Sequence, residues 1–267
     1  MIRQSLLSAT VAAFLTPTAA GIAFAATPEE RGHEIAVEVD ARDLGFQDSR
    51  VAMQMLLKNA EGETSTRELW VETLEVPDPE EGDKSLTYFL NPGDIEGTAF
   101  LSFTKILEPD DQWLYLPALK RVKRISSSNK SGPFVGSEFA YEDLTSFEVG
   151  KYDYKYLGDA DCGGMTCFVV ERYPLYEDSG YTRQVAYIDQ QEYRIVKVEF
   201  YDRKDSLLKT LNATDWKEYL GQYWRAHKLE MINHQTGKET VLVFHDYEFR
   251  TGVSESNFNK ARLDNIR

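Results

Sequence analysis

The chain has 267 residues, of which 42% are hydrophobic and 28% are charged, and its formal net charge is −14 at pH 7. This excess of acidic residues argues against nucleic acid as a partner, because nucleic-acid binding depends on Lys and Arg side chains that neutralise phosphates. The length is sufficient for one large all-β domain or two small ones.

Residues 1–25 have the pattern of a cleavable secretory signal peptide. Arg3 is followed by an apolar stretch that ends in the small-residue pattern Ala23-Phe24-Ala25, just before Ala26. This order predicts cleavage after residue 25 and export to the periplasm. There is no cysteine near this position to carry a lipid anchor. No later stretch has the roughly eighteen uninterrupted apolar residues that span a bilayer, so we expect residues 26–267 to form a soluble mature protein.

A helix is predicted at the start of the mature chain. Thr27 can cap it, Pro28 suits its first position, and Glu30 lies where the carboxylate of a capping box belongs. Apolar residues at positions 35 and 39 are one helical turn apart and form one apolar face. We expect an amphipathic helix over residues 28–43.

From Ser49 onward the hydrophobic period changes from helical to two, which is typical of strands. Val51, Met53, Met55 and Leu57 fall on one face, and a turn near residues 61–62 returns the chain through residues 68–76 as a hairpin. The same pattern recurs in Lys84–Leu90, Thr98–Ile106, Gln112–Leu116, Arg121–Ile125, Tyr152–Leu157, Phe168–Tyr173, Arg183–Ile188, Glu192–Tyr201, Leu207–Thr214, Tyr223–Ile232 and Thr240–Phe249. Short connections predict one continuous antiparallel meander.

Three segments do not follow the strand pattern. Ser126–Ser137 is a Ser/Gly/Asn-rich stretch, and it is either a mobile lid or a plain surface loop. Phe139–Leu144 has the pattern of a short helical turn. Ser254–Leu263 is predicted to be a short helix that docks through Phe258 and Leu263.

The predicted fold is α+β and mostly β, a single antiparallel sheet with a few helices. Because so few helices cannot cover both faces, the sheet is either strongly curved around a partly filled apolar hollow or closed into a filled sandwich or barrel. If it is hollow, the residues that we expect to line the cavity are apolar strand positions. They are Val51, Met53, Met55, Leu57, Val196, Val198, Phe200, Leu229 and Met231.

Two cysteines, Cys162 and Cys167, are separated by four residues. In an exported chain this spacing predicts a local disulfide at a hairpin turn and not a metal or redox pair.

The sequence contains no recognisable catalytic or metal-binding motif. The four histidines are scattered at positions 33, 227, 234 and 245, and neither a Gly-x-Ser-x-Gly nor a phosphate-binding Gly-x-x-x-x-Gly-Lys motif occurs. We therefore predict a binding protein that is not an enzyme and that uses no cofactor or metal.

A basic stretch stands out in this acidic chain. Lys120, Arg121, Lys123 and Arg124 are followed a few residues later by Lys130. These side chains either dock on an anionic lipid head group or an acidic partner, or form a solvated strand edge, since lysine discourages edge pairing.

Several long motifs resemble the outer-membrane lipoprotein-sorting proteins of the LolA-like superfamily, most closely a periplasmic branch associated with RND/MMPL-type exporters. The motifs are WLYLPALKRVKRISSS (Trp113–Ser128), GSEFAYEDL (Gly136–Leu144), RELWVETLEV from Arg67, DSGYTRQVAYID from Asp178, EYRIVKVEFYD from Glu192 and NHQTGKETVL from Asn233.

The resemblance covers essentially residues 26–267 and implies a half-barrel of about eleven antiparallel strands, with helices over the concave face. It also implies a monomeric periplasmic carrier that holds the acyl chains of a lipoprotein or lipid in an apolar cavity. The cargo would pass from an inner-membrane complex toward the outer membrane. An alternative is a non-carrying adaptor subunit of an RND/MMPL-type exporter.

Overall fold

The computed structural model describes residues 26–78 and 80–266. The predicted signal peptide, residues 1–25, lies outside the described residues.

Helix α1 spans Pro28–Ala41 and begins with the predicted capping box. The Glu30 N–H donates to the Thr27 hydroxyl at 3.1 Å, and the Thr27 N–H donates to the Glu30 carboxylate at 2.8 Å. Ile35 and Ala36 are buried. The helix ends two residues before the predicted end, at a C-cap formed by Arg42.

Within the described residues, fourteen strands form one curved, open antiparallel sheet, against the eleven implied by the family resemblance. The strands are β1 (Asp48–Lys58), β2 (Thr64–Leu74), β3 (Glu81–Asn91), β4 (Ala99–Lys105), β5 (Asp111–Leu116), β6 (Arg121–Ile125), β7 (Tyr152–Asp161), β8 (Thr166–Pro174), β9 (Tyr181–Asp189), β10 (Ile195–Asp202), β11 (Leu207–Tyr219), β12 (Tyr223–Asn233), β13 (Glu239–Phe244) and β14 (Glu248–Phe249). The mostly-β half-barrel prediction is confirmed.

The sheet consists of two meanders and not the single one predicted. The strand order is β6-β5-β4-β3-β2-β1-β13-β12-β11-β10-β9-β8-β7, and β14 pairs with β1. The β1–β13 ladder, in which Met55 lies opposite Leu242, joins the two meanders. Strands β6 and β7 are consecutive in the chain but form the two edges. The segment between them, residues 126–151, must therefore cross the sheet, and we call it the crossover.

The crossover packs into the concave face of the sheet. The Phe134 side chain is 1% exposed, and its ring centroid lies 5.1 Å from that of Phe100 and 5.9 Å from that of Phe89. The predicted short turn is present as a 3₁₀ helix at Tyr141–Leu144. The expectation of a plain surface loop is wrong, because an aromatic side chain within a polar stretch is part of the core.

Helix α1 covers the other part of the concave face, over β7 and β8. Its Ile35 and Ala36 side chains join the same core cluster as Tyr154 and Val170. A Cβ added at Gly32 would lie 2.9 Å from the backbone nitrogens of Lys155 and Tyr156. Glycine is needed here because the helix backbone touches the strand backbone.

A second, smaller core lies apart from this concave core, between β3 and β4 and the C-terminal segment. Phe258 and Leu263 are 4% and 2% exposed and contact Leu86, Ala99 and Leu101. The docking prediction is confirmed, but two 3₁₀ turns, Glu255–Asn257 and Lys260–Arg262, replace the predicted helix. Non-helical backbone at Phe258 and at the second turn's N-cap separates the two turns.

The predicted disulfide joins Cys162 to Cys167 at the turn between β7 and β8. Closing so short a loop contributes on the order of 2 kcal/mol by the chain-entropy model.

Candidate functional site

A cavity of about 1530 Å³ lies between the concave face of the sheet and the elements that cover it. The apolar part of its floor comes from inward-facing residues of four adjacent strands, β2, β1, β13 and β12, and its roof comes from the crossover and the end of α1. Floor residues are Val51, Met53, Met55, Val71, Leu229, Leu242 and Phe244; roof residues are Val39, Phe134, Phe139, Leu144, Phe147 and Val149. The hollow exists because one helix and one crossover cannot fill the concave face of so long a sheet.

The volume and the lining together indicate what the cavity can hold. Small-molecule sites are commonly about 300–1,000 Å³, so this cavity is large for one compact ligand. Its inner walls are aliphatic and aromatic, with two methionines whose flexible side chains adapt to irregular apolar shapes. Such walls favour hydrocarbon over a polar molecule, because burying apolar surface is the main favourable contribution to binding.

The crossover closes one end of the hollow with polar contacts to the sheet. The Lys209 ammonium donates to the Glu138 carbonyl at 2.9 Å and to Asp143 at 2.6 Å, while the Asn233 side chain donates to the Glu138 carboxylate at 2.6 Å. The Glu138 N–H donates to the Thr240 hydroxyl at 2.9 Å. Asp143 and Lys209 side chains are 6% and 4% exposed. We call this the closed end.

The opposite end carries the polar lining residues, and we call it the mouth. The mouth is formed by residues 40–47, at the end of α1 and just after it, together with the β2–β3 loop and the β9–β10 and β11–β12 turns. In an antiparallel meander successive turns alternate between the two ends of the strands. The turns at the other end of the strands, among them β1–β2, β3–β4, β5–β6 and β12–β13, contribute no residue to the lining.

Carboxyl groups from several segments line the mouth. They include Asp40, Asp43, Glu75, Asp83 and Glu148. Burial raises the pKa of Asp83 to about 7, and the nearby carboxylates of Glu148, Glu75 and Asp43 add to this effect. Burial also raises the pKa of Glu148 and of Asp40 from their ordinary values.

The arginines at the mouth are already engaged by acidic partners. Arg42 pairs with Glu38 at 2.8 Å, Arg194 pairs with Asp189 at 2.6 Å, and Arg225 pairs with Asp43. Arg194 also stacks on the rings of Trp224 and Trp216, at 4.7 and 5.6 Å from their centroids.

The structure divides the nine predicted cavity residues into two groups and one exception. Val51, Met53, Met55 and Leu229 line the cavity. Leu57, Val198, Phe200 and Met231 belong to the same core cluster but do not line it, because that part of the concave face is packed. Phe200, for example, lies 4.9 Å from the Tyr181 ring.

Val196 is the exception, and a β-bulge explains its position. Ile195 pairs with Ile188 and Lys197 pairs with Tyr187, so Val196 is an extra residue without a partner in this ladder. The extra residue shifts the alternation, which places Ile195 and not Val196 on the cavity wall.

The basic residues are also divided. Lys120, Arg121, Lys123 and Arg124 are exposed on edge strand β6 and its preceding turn, and Arg124 pairs with Asp111 at 2.6 Å. Lys130 is 4% exposed, and its ammonium lies 4.0 Å from the centroid of the Tyr176 ring. Burial lowers the pKa of Lys130. It is a core residue and not a part of the exposed basic stretch.

A lid over residues 126–137 is one of the two sequence predictions for that segment, but no sequence pattern identified the roof residues or the acidic mouth. Phe134, Phe139 and Phe147 are the available signal for the roof, as aromatic residues in a largely polar stretch. The mouth carboxyls are far apart in sequence and come together only through the fold.

Among residues 26–78 and 80–266, no group of His, Cys, Asp and Glu side chains is arranged to hold a metal ion. Within the same ranges, no helix has the length and apolar character needed to cross a bilayer.

A curved, open antiparallel sheet with an apolar hollow beneath one helix is the LolA-like half-barrel. The crystal structure of an outer-membrane lipoprotein-sorting protein domain from Vibrio parahaemolyticus matches with a TM-score of 0.86 and 55% identity, over 88% of this chain and 99% of that one. A DUF1329 family protein from Desulfovibrio piger matches with a TM-score of 0.84 and 28% identity, over 89% and 100% of the two chains. The chain belongs to this lipoprotein-sorting family.

Two further comparisons bear on the family. A LolA superfamily protein from Nitrosomonas europaea shares the fold, with a TM-score of 0.68 and 20% identity over 89% of this chain and 99% of that one. A family model described as an uncharacterized protein matches residues 81–265. No curated protein matches the sequence.

Proposed function

We propose that the protein is a monomeric periplasmic carrier that encloses the acyl chains of a lipoprotein or lipid in the cavity, and that it takes this cargo from an inner-membrane complex toward the outer membrane. The observation that carries the proposal is the large apolar hollow between the sheet, α1 and the crossover. Membership of a lipoprotein-sorting family supports the same function.

The energetics suit carriage of an acyl chain. Each buried methylene contributes roughly 0.8 kcal/mol, so a dozen methylenes in the cavity would supply on the order of 10 kcal/mol. That is enough to hold a chain that water would otherwise expel. Release then requires a tighter acceptor or an input of energy.

The disulfide supports an exported location. Disulfides persist in oxidising compartments such as the periplasm and are rare in the cytosol. The Cys162–Cys167 bond therefore agrees with the predicted signal peptide.

Mass spectrometry of lipids extracted from the natively purified protein tests the proposal directly. We expect at least one acylated species in a stoichiometric amount. Protein that carries no lipid and also fails to bind a fluorescent fatty acid would contradict the proposal.

A pair of matched variants locates the binding site. Leu229→Gln places an amide on the cavity floor and should weaken fluorescent fatty-acid binding about tenfold or more, because the amide loses its hydrogen bonds to water when the chain enters. Ile232→Gln is the control, since Ile232 lies on the same strand but faces away from the cavity. Equal loss in both variants would mean that binding lies elsewhere. Met55 is less suitable because it is 1% exposed and a polar residue there would threaten folding.

The exposed basic stretch favours a second function, an adaptor subunit of an RND/MMPL-type exporter that carries nothing. Among the described residues, no ion pair involves Arg121 or Lys123, and the β5–β6 turn lies away from the mouth. The double variant Arg121→Glu and Lys123→Glu should then abolish binding to the exporter in a pull-down. An adaptor would bind no fatty acid in either form, whereas a carrier would bind it equally in both.

A further inference from the structure

The chemistry of the mouth indicates which head group the cavity accepts, provided that the carrier function proposed above holds. An amphiphile with its tail in the hollow must leave its head among the polar residues of the mouth. The charges there therefore act on the head group and not on the tail.

Three of the acidic groups at the mouth, Glu75, Asp83 and Glu148, accept hydrogen bonds from neutral donors. Glu75 accepts the N–H groups of Gly45 and Gln47 at 2.6 and 2.7 Å, and Asp83 accepts the N–H of Val76 at 3.1 Å. Glu148 accepts the Ser146 hydroxyl at 2.6 Å. These donors satisfy the oxygen atoms but leave the negative charge uncompensated.

The positive groups near the mouth offer little to an anion. All three arginines of the lining are paired with carboxylates, as described above. Lys151, which also acts on Glu148, is 3% exposed and pairs with Asp110 at 3.1 Å. An anionic head group would therefore meet carboxylates at close range, and at a partly desolvated site such repulsion is stronger than in bulk water.

We propose that the cavity selects amphiphiles with a cationic head group and discriminates against anionic ones. The apolar hollow holds the tail, and the carboxylates of Glu75, Asp83 and Glu148 at the mouth attract the positive head. Burial is the main reason why the pKa values of Asp83 and Glu148 are raised, and neighbouring carboxylates add to it, so a bound cation also relieves repulsion at the mouth.

The test uses two amphiphiles that share a sixteen-carbon tail, hexadecyltrimethylammonium and hexadecyl sulfate. Each displaces a neutral fluorescent lipid from the mature protein at pH 8, below its micelle concentration. We expect the cation to bind on the order of tenfold more tightly, a ratio that corresponds to about 1.4 kcal/mol. Equal affinity, or tighter binding of the sulfate, would overturn the selectivity while leaving the carrier function intact.

Matched variants separate the mouth from the overall acidity of the chain. Asp83→Asn with Glu148→Gln removes two mouth carboxylates and should reduce the cation preference several-fold. Glu61→Gln with Glu96→Gln removes the same charge from exposed turns outside the cavity and should leave the preference unchanged. An equal loss in both pairs would overturn the proposal. If the neutral fluorescent lipid itself does not bind the unmodified protein, both the selectivity and the carrier function fail.

Discussion

At Asp83, burial and three neighbouring carboxylates act in the same direction. Together they raise its pKa from 3.8 to about 7, although the N–H of Val76 opposes them. Because the pKa is higher in the folded chain than in the unfolded one, folding favours the protonated acid. As the pH rises from about 4 toward 7, the carboxyl ionises first in the unfolded chain. The folded state therefore loses stability over this range.

Asp83→Asn should therefore stabilise the protein at pH 8 and have little effect at pH 4. A shift of this size corresponds to as much as about 4 kcal/mol at 1.36 kcal/mol per unit, and we expect about 2 kcal/mol because water in the mouth screens the charge. Urea denaturation at the two pH values measures the difference. A variant that is equally or less stable at pH 8 would show that Asp83 is not held in an unfavourable ionised form.

At the closed end, Lys209 and Asp143 form a buried ion pair, and the Tyr181 hydroxyl donates to Asp143 at 2.7 Å. Lys209→Met should lower the free energy of unfolding by about 3 kcal/mol, because the remaining carboxylate is left buried without its cation. Lys209→Met combined with Asp143→Asn should recover part of this loss. Chemical denaturation measures the free energy of unfolding of both variants. A double variant that is less stable than the single one would contradict the prediction.

At the scale of elements, α1 depends on a close backbone contact. Gly32→Ala would improve the intrinsic helix propensity by up to about 1 kcal/mol, yet the added Cβ would lie 2.9 Å from the β7 backbone. We expect the steric effect to prevail and the melting temperature to fall, since overpacking costs about 1–3 kcal/mol.

Gly93→Ala is the control for this prediction. Nothing lies within 4 Å of a Cβ added there, and its φ is not positive. Thermal unfolding followed by circular dichroism should show a lower melting temperature for the Gly32 variant alone. An unchanged or higher melting temperature for that variant would mean that α1 does not need this contact.

Local sequence patterns predicted the elements well where the residues of an element determine its structure without contacts to distant segments. The capping box at Thr27 and Glu30 set the start of α1, and alternation set β6 at the observed residues 121–125. The pattern failed where structure depends on distant partners. Phe134 is buried because β6 and β7 form opposite edges of the sheet, and the bulge at Val196 leaves no mark in an unbroken run of strand-forming residues.

The candidate site was predictable only in part for the same reason. Alternation in β1 predicts one apolar face with Val51, Met53 and Met55, and these residues line the cavity in the structure. The mouth could not be predicted, because Asp40, Asp83 and Glu148 lie in separate segments of the sequence. These segments come close together only in the folded structure.

At the scale of the whole molecule, one sheet supports two separate cores. The cavity lies on the concave face, while Phe258 packs on Leu86 and Leu101 in the second cluster. Phe258→Ala should lower the free energy of unfolding by about 3–5 kcal/mol, through lost burial and the space left behind. Fatty-acid affinity of the folded protein should not change. Denaturation and fluorescence titration measure the two quantities, and a loss of affinity at full folding would show that the two cores are coupled.

The contacts of Glu138 and Asp143 with the sheet hold the crossover against one end of the hollow, and the polar lining residues lie at the other end. We therefore expect a hydrocarbon chain to go in tail first at the mouth and to come out along the same path. Whatever donates the cargo and whatever receives it must approach the same rim, so the two encounters are mutually exclusive in time. The depth of the hollow, and not the strength of any single contact, then sets the longest tail that can be shielded from water.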